Sequence, residues 1–68
     1  MPIGNYNIDE INVGDAVLFD MPHVNNYDLY WPVMEIKENI LRLEINEMGA
    51  NDMRFVDVKY VRLVEKRT

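Results

Sequence analysis

"LYWPVMEIKENILRLEI", residues 29–45, decides the fold. Its last third alternates cleanly. Leu41, Leu43 and Ile45 fall on one phase, Arg42 and Glu44 on the other, which is the period of two that a half-buried strand shows. The run from Leu29 to Ile36 is aromatic and β-branched, hence strand-like. Pro32 within it has no N–H to give to a ladder, so this strand either begins near Pro32 or lies at a sheet edge. "KEN", residues 37–39, is a polar connection of hairpin length.

The same grammar extends outward. Upstream, "VGDAVLFD" is a short apolar run opened by a Gly-Asp turn, giving a strand from about Asp15 to Asp20. "MPHVNNYD", residues 21–28, reads as a loop. Downstream, "NEMGAND" (46–52) is expected to be a loop with two positions suited to φ > 0. "MRFVDV" (53–58) and "YVRLVE" (60–65) form the last strands. No stretch supports a helix of three turns. Strands this short, four or five in 68 residues, must curl to close a core, so the expected fold is all-β: a single small five-stranded barrel. The domain spans 1–68, with an ordered core of about 8–65 and fraying ends.

Size and composition limit what such a domain can do. A chain this short buries only about 60% of its unfolded surface and has no room for a deep cleft. It contains no cysteine, which removes disulfides and thiolate metal sites and fits a reducing cytosol. The opening "MPIGNYNIDEI" lacks the basic head and apolar run of a signal peptide. The longest apolar run is "AVLF", far below the ~18 residues of a membrane span. A cytoplasmic protein without membrane contact is expected.

Charge is uneven. Residues 1–53 carry ten acidic and two basic side chains, residues 54–68 five basic and two acidic ones, for a net −5. An acidic body repels phosphate backbones, so nucleic-acid binding is disfavoured.

"INVGDAVLF", "YWPVMEI", "ILRLEI" and "FVDVKYVRLVE" follow one another as the segments of an SH3-like small barrel do. Gly14, Asp15, Val17 and Phe19, then Tyr30, Trp31, Pro32 and Val33, resemble the first two elements of the PWWP and Tudor group. The closing "VKYVRLVE" resembles the end of SH3 domains, where a short turn carrying Tyr-Val leads into the final strand. The resemblance covers about Ile11 to Glu65. In PWWP domains it implies a cage of three rings for methylated lysine. Trp31 matches the first ring position, the second falls on Asp28 with Tyr27 one place away, and "LRLEI" offers no third. A single exposed ring gives a cation only ~0.5–1 kcal/mol, so methyl-lysine reading is not expected.

Trp31 has two readings. It fills the core, since a tryptophan buries about 150–250 Å², or it stands half-exposed at the barrel mouth beside Tyr27, Tyr30 and Phe55. Aromatics at a rigid strand start are what peptide grooves use, so Tyr27, Tyr30, Trp31 and Phe55 are the candidate ligand-binding residues. Met21, Met34, Met48 and Met53 are read as core gap-fillers, with an adaptable contact surface at a loop tip as the alternative for Met48.

No enzyme is expected: His23 stands alone in a loop, there is no serine, and no phosphate loop or metal-ligand spacing occurs. Glu44, Glu47 and Asp52 lack the alternation of a calcium loop. No cofactor is expected.

Two classes of function remain. The first is a protein-interaction module that takes an extended peptide, a partner protein or a second subunit through the aromatic surface or an open strand edge. The second is an acidic decoy for a basic site on a nucleic-acid enzyme or host factor, using Asp9, Glu10, Asp15, Asp20, Asp28, Glu35, Glu38, Glu44 and Glu47. A 68-residue chain starting at Met1 suits a phage, viral or mobile-element accessory protein.

Overall fold

The structure is a computed structural model, describing residues 6–47 and 49–67. Five strands follow one another: β1 Ala16–Phe19, β2 Trp31–Lys37, β3 Ile40–Glu47, β4 Ala50–Asp57 and β5 Val61–Glu65. All pairings are antiparallel, in the order β4-β3-β2-β1-β5. The fold is thus all-β, as the alternating pattern implied. β4 and β5 stand at the two ends of the order, so among the described residues hydrogen bonding does not close the sheet.

β2 is central and its two ends have different neighbours. Trp31 and Pro32 pair with β1, whereas Val33 to Lys37 pair with β3. Pro32 is tolerated because the strand begins there: Gly14 donates to the Val33 carbonyl and Val33 donates to that of Asp15 (3.0 and 2.8 Å), so no donor is missed at Pro32 itself. Between Val33 and Glu35 the register slips by one residue. This bulge at Met34 resets the alternation, turning Met34 and Glu35 both outward and bending the strand.

The inner face is apolar throughout. Phe19, Trp31, Val33, Leu41, Leu43, Ile45, Val56 and Val61 are fully or almost fully buried. Radius of gyration is 11.0 Å, about that of a compact chain of this length. A 3-10 turn, Val58–Tyr60, carries β4 over to β5. Asp57 caps it by accepting from the Lys59 N–H at 3.0 Å, and the Tyr60 carbonyl accepts from Asp20 N–H at 2.9 Å.

Three local expectations change. The "NEMGAND" loop is much shorter than its composition implied, because β3 runs on to Glu47 and β4 already begins at Ala50. Gly49, at φ 83°, supplies the left-handed turn, and Asn51 and Asp52 join an edge strand that water can solvate on one side. Asp15, counted among the acids of the decoy surface, is completely buried. Its carboxylate accepts from Asn12 N–H (3.0 Å), Arg67 N–H (3.0 Å) and Lys66 Nζ (2.6 Å). Those bonds hold Lys66 and Arg67, which composition alone left free to fray. Tyr6 also packs on the core; residues 1–5 and 68 lie outside the described residues.

Candidate functional site

Trp31 lies inside. It has no exposed surface and meets Phe19 edge-to-face at 5.4 Å. Its Nε1–H donates to the Asn26 carbonyl at 2.9 Å, satisfying the one polar atom that an indole brings into a core. The loop from Asp20 to Tyr30 is folded over it. Asn25 and Asn26 side chains accept from the N–H groups of Tyr27 and Asp28, each at 2.8 Å, and Tyr27 and Asp28 take left-handed φ of 57° and 54°.

That conformation lays Tyr27 over Trp31, with centroids 6.1 Å apart and planes at 25°. Its hydroxyl donates to Asp52 Oδ2 at 2.7 Å. Arg54 completes the group, pairing with Asp52 at 3.1 Å and placing its guanidinium 5.8 Å from the Trp31 ring centre. The hydrogen bond from Tyr27, then that from Arg54, holds the Asp52 carboxyl below its ordinary range. The same hydrogen bond to Asp52 raises the Tyr27 phenol above its ordinary value, aided by partial burial and the carboxylate's charge.

Phe55 faces the other way. Asp52 and Arg54 point from β4 toward Tyr27 and Trp31, so by alternation Met53 and Phe55 point out. Phe55 is 60% exposed and lines a shallow hollow of about 210 Å³ with Ile40, Arg42, Glu35, Lys37 and Glu38. The structure therefore brings Tyr27 and Trp31 together, places half-buried Tyr30 just before β2, and puts Phe55 on the opposite face. The four do not form one surface.

The outer face of β2, β3 and β4 carries what the sequence reading missed. Met34 and Met53, expected to fill the core, are 45% and 46% exposed, and Ile40 is also exposed. The bulge places Met34 outside, and β4's phase places Met53 there. Met21 does pack against the core, while Met48 lies outside the described residues. Between these apolar groups Arg42 pairs with Glu35 (3.1 Å) and with Glu44. The basic tail is engaged within the molecule: Arg62 pairs with Asp20 at 2.8 Å and Lys66 with Asp15.

Among the described residues no three His, Asp or Glu side chains gather as metal ligands, and no helix is long and apolar enough to cross a membrane. Fold and site together define a small antiparallel all-β domain with one aromatic face packed over the buried Trp31 and one open, mixed apolar face. Comparison of the chain with protein-family models, with curated proteins and with solved structures gives no match.

Proposed function

We propose that the chain is a non-catalytic protein-interaction module of the SH3-like small-barrel type, in which the β4 edge and the adjoining outer face take an extended segment of a partner protein. One observation carries this reading. β4 is eight residues long, keeps an unbroken register with β3, stands last in the sheet, and presents exposed Met53 and Phe55 beside that edge. A regular edge offers main-chain hydrogen bonds, and pockets for alternate side chains give specificity. The barrel assignment draws support from the strand order and from the 3-10 turn Val58–Tyr60 leading into β5. Trp31 then acts from inside, as the platform that fixes Tyr27, Asp52 and Arg54 along β4.

The acidic-decoy alternative has a smaller charged surface than composition implied. Asp15 is buried, and Asp20, Glu35, Glu44 and Asp52 are each paired with an arginine.

The test is capture from the source lysate, followed by amide-exchange mapping of the complex at low and high salt. Slowed exchange at Asn51, Met53 and Phe55, with binding that persists in salt, is the expected result. Binding that leaves those amides untouched and collapses as salt screens charges beyond ~10 Å at 0.1 M would replace the edge reading with the decoy.

A further inference from the structure

The β4 edge has a sequence that suits a second copy of itself. The orientation of its backbone follows from the ladder. Val58 N–H donates to the Asn39 carbonyl at 2.9 Å, which makes 39/58 a hydrogen-bonded pair. Along the continuous β3–β4 register the hydrogen-bonded pairs are then Leu41/Val56, Leu43/Arg54 and Ile45/Asp52, because such pairs alternate in an antiparallel ladder. Asp52, Arg54 and Val56 thus turn their N–H and C=O groups to β3. Asn51, Met53 and Phe55 turn theirs to the open edge. Independently, the Met53 carbonyl accepts from Arg54 Nη1 at 2.9 Å, as a carbonyl outside the ladder can.

We infer that two copies of the chain pair β4 with β4, antiparallel about a two-fold axis through Met53. This inference rests on the edge reading above and names its occupant. The backbone allows only pairings that set an odd residue opposite an odd one, since only those groups face the edge. About Met53, Asn51 meets Phe55 of the second copy, Met53 meets Met53, and Asp52 meets Arg54 twice by symmetry. Moving the axis one residue in either direction sets Arg54 against Arg54 or Asp52 against Asp52. Those are like charges in the closely spaced, non-hydrogen-bonded sites, where they are repelled. Charge therefore favours this register over its two neighbours, and it is the one that gains two opposite-charge pairs; it is also self-complementary, as an isologous interface must be.

The details of the single chain fit this pairing. Tyr27 holds Asp52 in place through its hydroxyl. Arg54, which covers the Met53 carbonyl in the single chain, turns to Asp52 of the second copy and frees that carbonyl for the incoming Met53 N–H. Exposed Met53 and Phe55 of both copies then line one continuous outer face.

Sedimentation equilibrium of the 68-residue chain over a wide concentration range reads the association directly. The wild type is expected to be a dimer in equilibrium with monomer. Asp52→Arg and Arg54→Asp should each weaken association about tenfold, since each turns two attractive cross-strand pairs into repulsive ones. The double variant should recover most of the loss. Should either reversal disturb the fold, Met53→Pro keeps the test intact: it removes an edge N–H without touching the β3 ladder, and it should abolish the dimer while leaving the far-ultraviolet spectrum unchanged. A chain that stays monomeric, a double variant that fails to recover, or a larger ring or filament built head-to-tail from β4 to β5 would overturn the inference. A monomer whose Asn51, Met53 and Phe55 amides become protected in the complex captured from the source lysate would overturn self-pairing alone and leave the edge reading standing. A monomer without that protection would remove both.

Discussion

Trp31 and Phe55 are large aromatics on strands of one sheet, yet one has no exposed surface and the other is 60% exposed. Around Trp31 every polar group has a partner: the indole N–H meets Asn26, Tyr27 meets Asp52, and Arg54 sits over the ring. Around Phe55 the neighbours are Ile40, the Arg42 ion pairs and, along the strand, Met53. The first arrangement fixes a single conformation. The second leaves apolar surface in water beside a strand edge that no described strand pairs with, which folding alone does not require. The difference separates residues that hold the fold from residues available to a partner, and it makes opposite predictions for the two.

The largest expected effect is at Trp31. Replacing a fully buried aromatic by alanine costs about 3–5 kcal/mol, against a total of about 5–15 kcal/mol for small domains. Trp31→Ala should lose about 3–5 kcal/mol, read as a much lower urea midpoint with a weakened near-ultraviolet circular dichroism signal. A variant that remained folded with a midpoint close to wild type would put Trp31 outside the essential core. It would also erase the contrast with Phe55.

Asp15 comes second. Its carboxylate is buried and ties the end of β5 to the turn before β1 through Asn12, Lys66 and Arg67. Hydrogen bonds to a charged group contribute about 1.5–3 kcal/mol. Asp15→Asn keeps the shape and removes the charge, so it should lower stability by about 2 kcal/mol, and Lys66 and Arg67 amides should exchange faster. Faster exchange confined to those two residues, with no change in the urea midpoint, would make Asp15 a local clasp instead of part of the core.

These two positions show how unevenly the molecule could be read from its residues. β3 was legible because Leu41, Leu43 and Ile45 keep one phase without interruption. β4 was not. "MRFVDV" has apolar residues on both phases, Met53 and Phe55 on one, Val56 and Val58 on the other, so period two cannot choose the inner face. Pairing with β3 chooses it. The burial of Asp15 depends on Lys66, 51 residues away, and no local pattern carries such a contact. The Tyr27–Asp52 bond spans 25 residues and was hidden for the same reason. Trp31 could be placed at a strand start, whereas its burial needed the loop from Asp20 to Tyr30 to be seen folded over it.

A smaller effect is expected where the aromatic face meets the β4 edge. Asp52 is held below its ordinary pKa by Tyr27 and Arg54, and Tyr27 is held above its own by Asp52. For a lowered carboxyl the native state gains stability above the unfolded-state pKa and loses it as pH falls through the native value. For a raised phenol the gain is present below the unfolded-state pKa, near 10, and is lost as pH rises through the native value. The Tyr27–Asp52 bond should therefore open at both extremes and stay closed between them. Tyr27→Phe should move the Asp52 carboxyl back toward its ordinary range in an NMR titration. An unmoved Asp52 would assign its shift to Arg54 alone.

The smallest effect on the fold belongs to Phe55, and it is the one that sharpens the comparison most. Its side chain stands over the outer face with 60% of its surface in water, so folding removes the smaller part of it from solvent. Surface substitutions of this kind change stability by no more than about 0.5 kcal/mol. Phe55→Ser should match the wild-type urea midpoint within that margin, in contrast to Trp31→Ala under the same conditions. Partner capture or self-association should fall all the same, because aromatic side chains beside an interface contribute far more to binding than to the isolated fold. A Phe55→Ser chain that loses stability would return Phe55 to the core-building residues. One that keeps both stability and binding would leave the open face without a role and confine recognition to the β4 backbone.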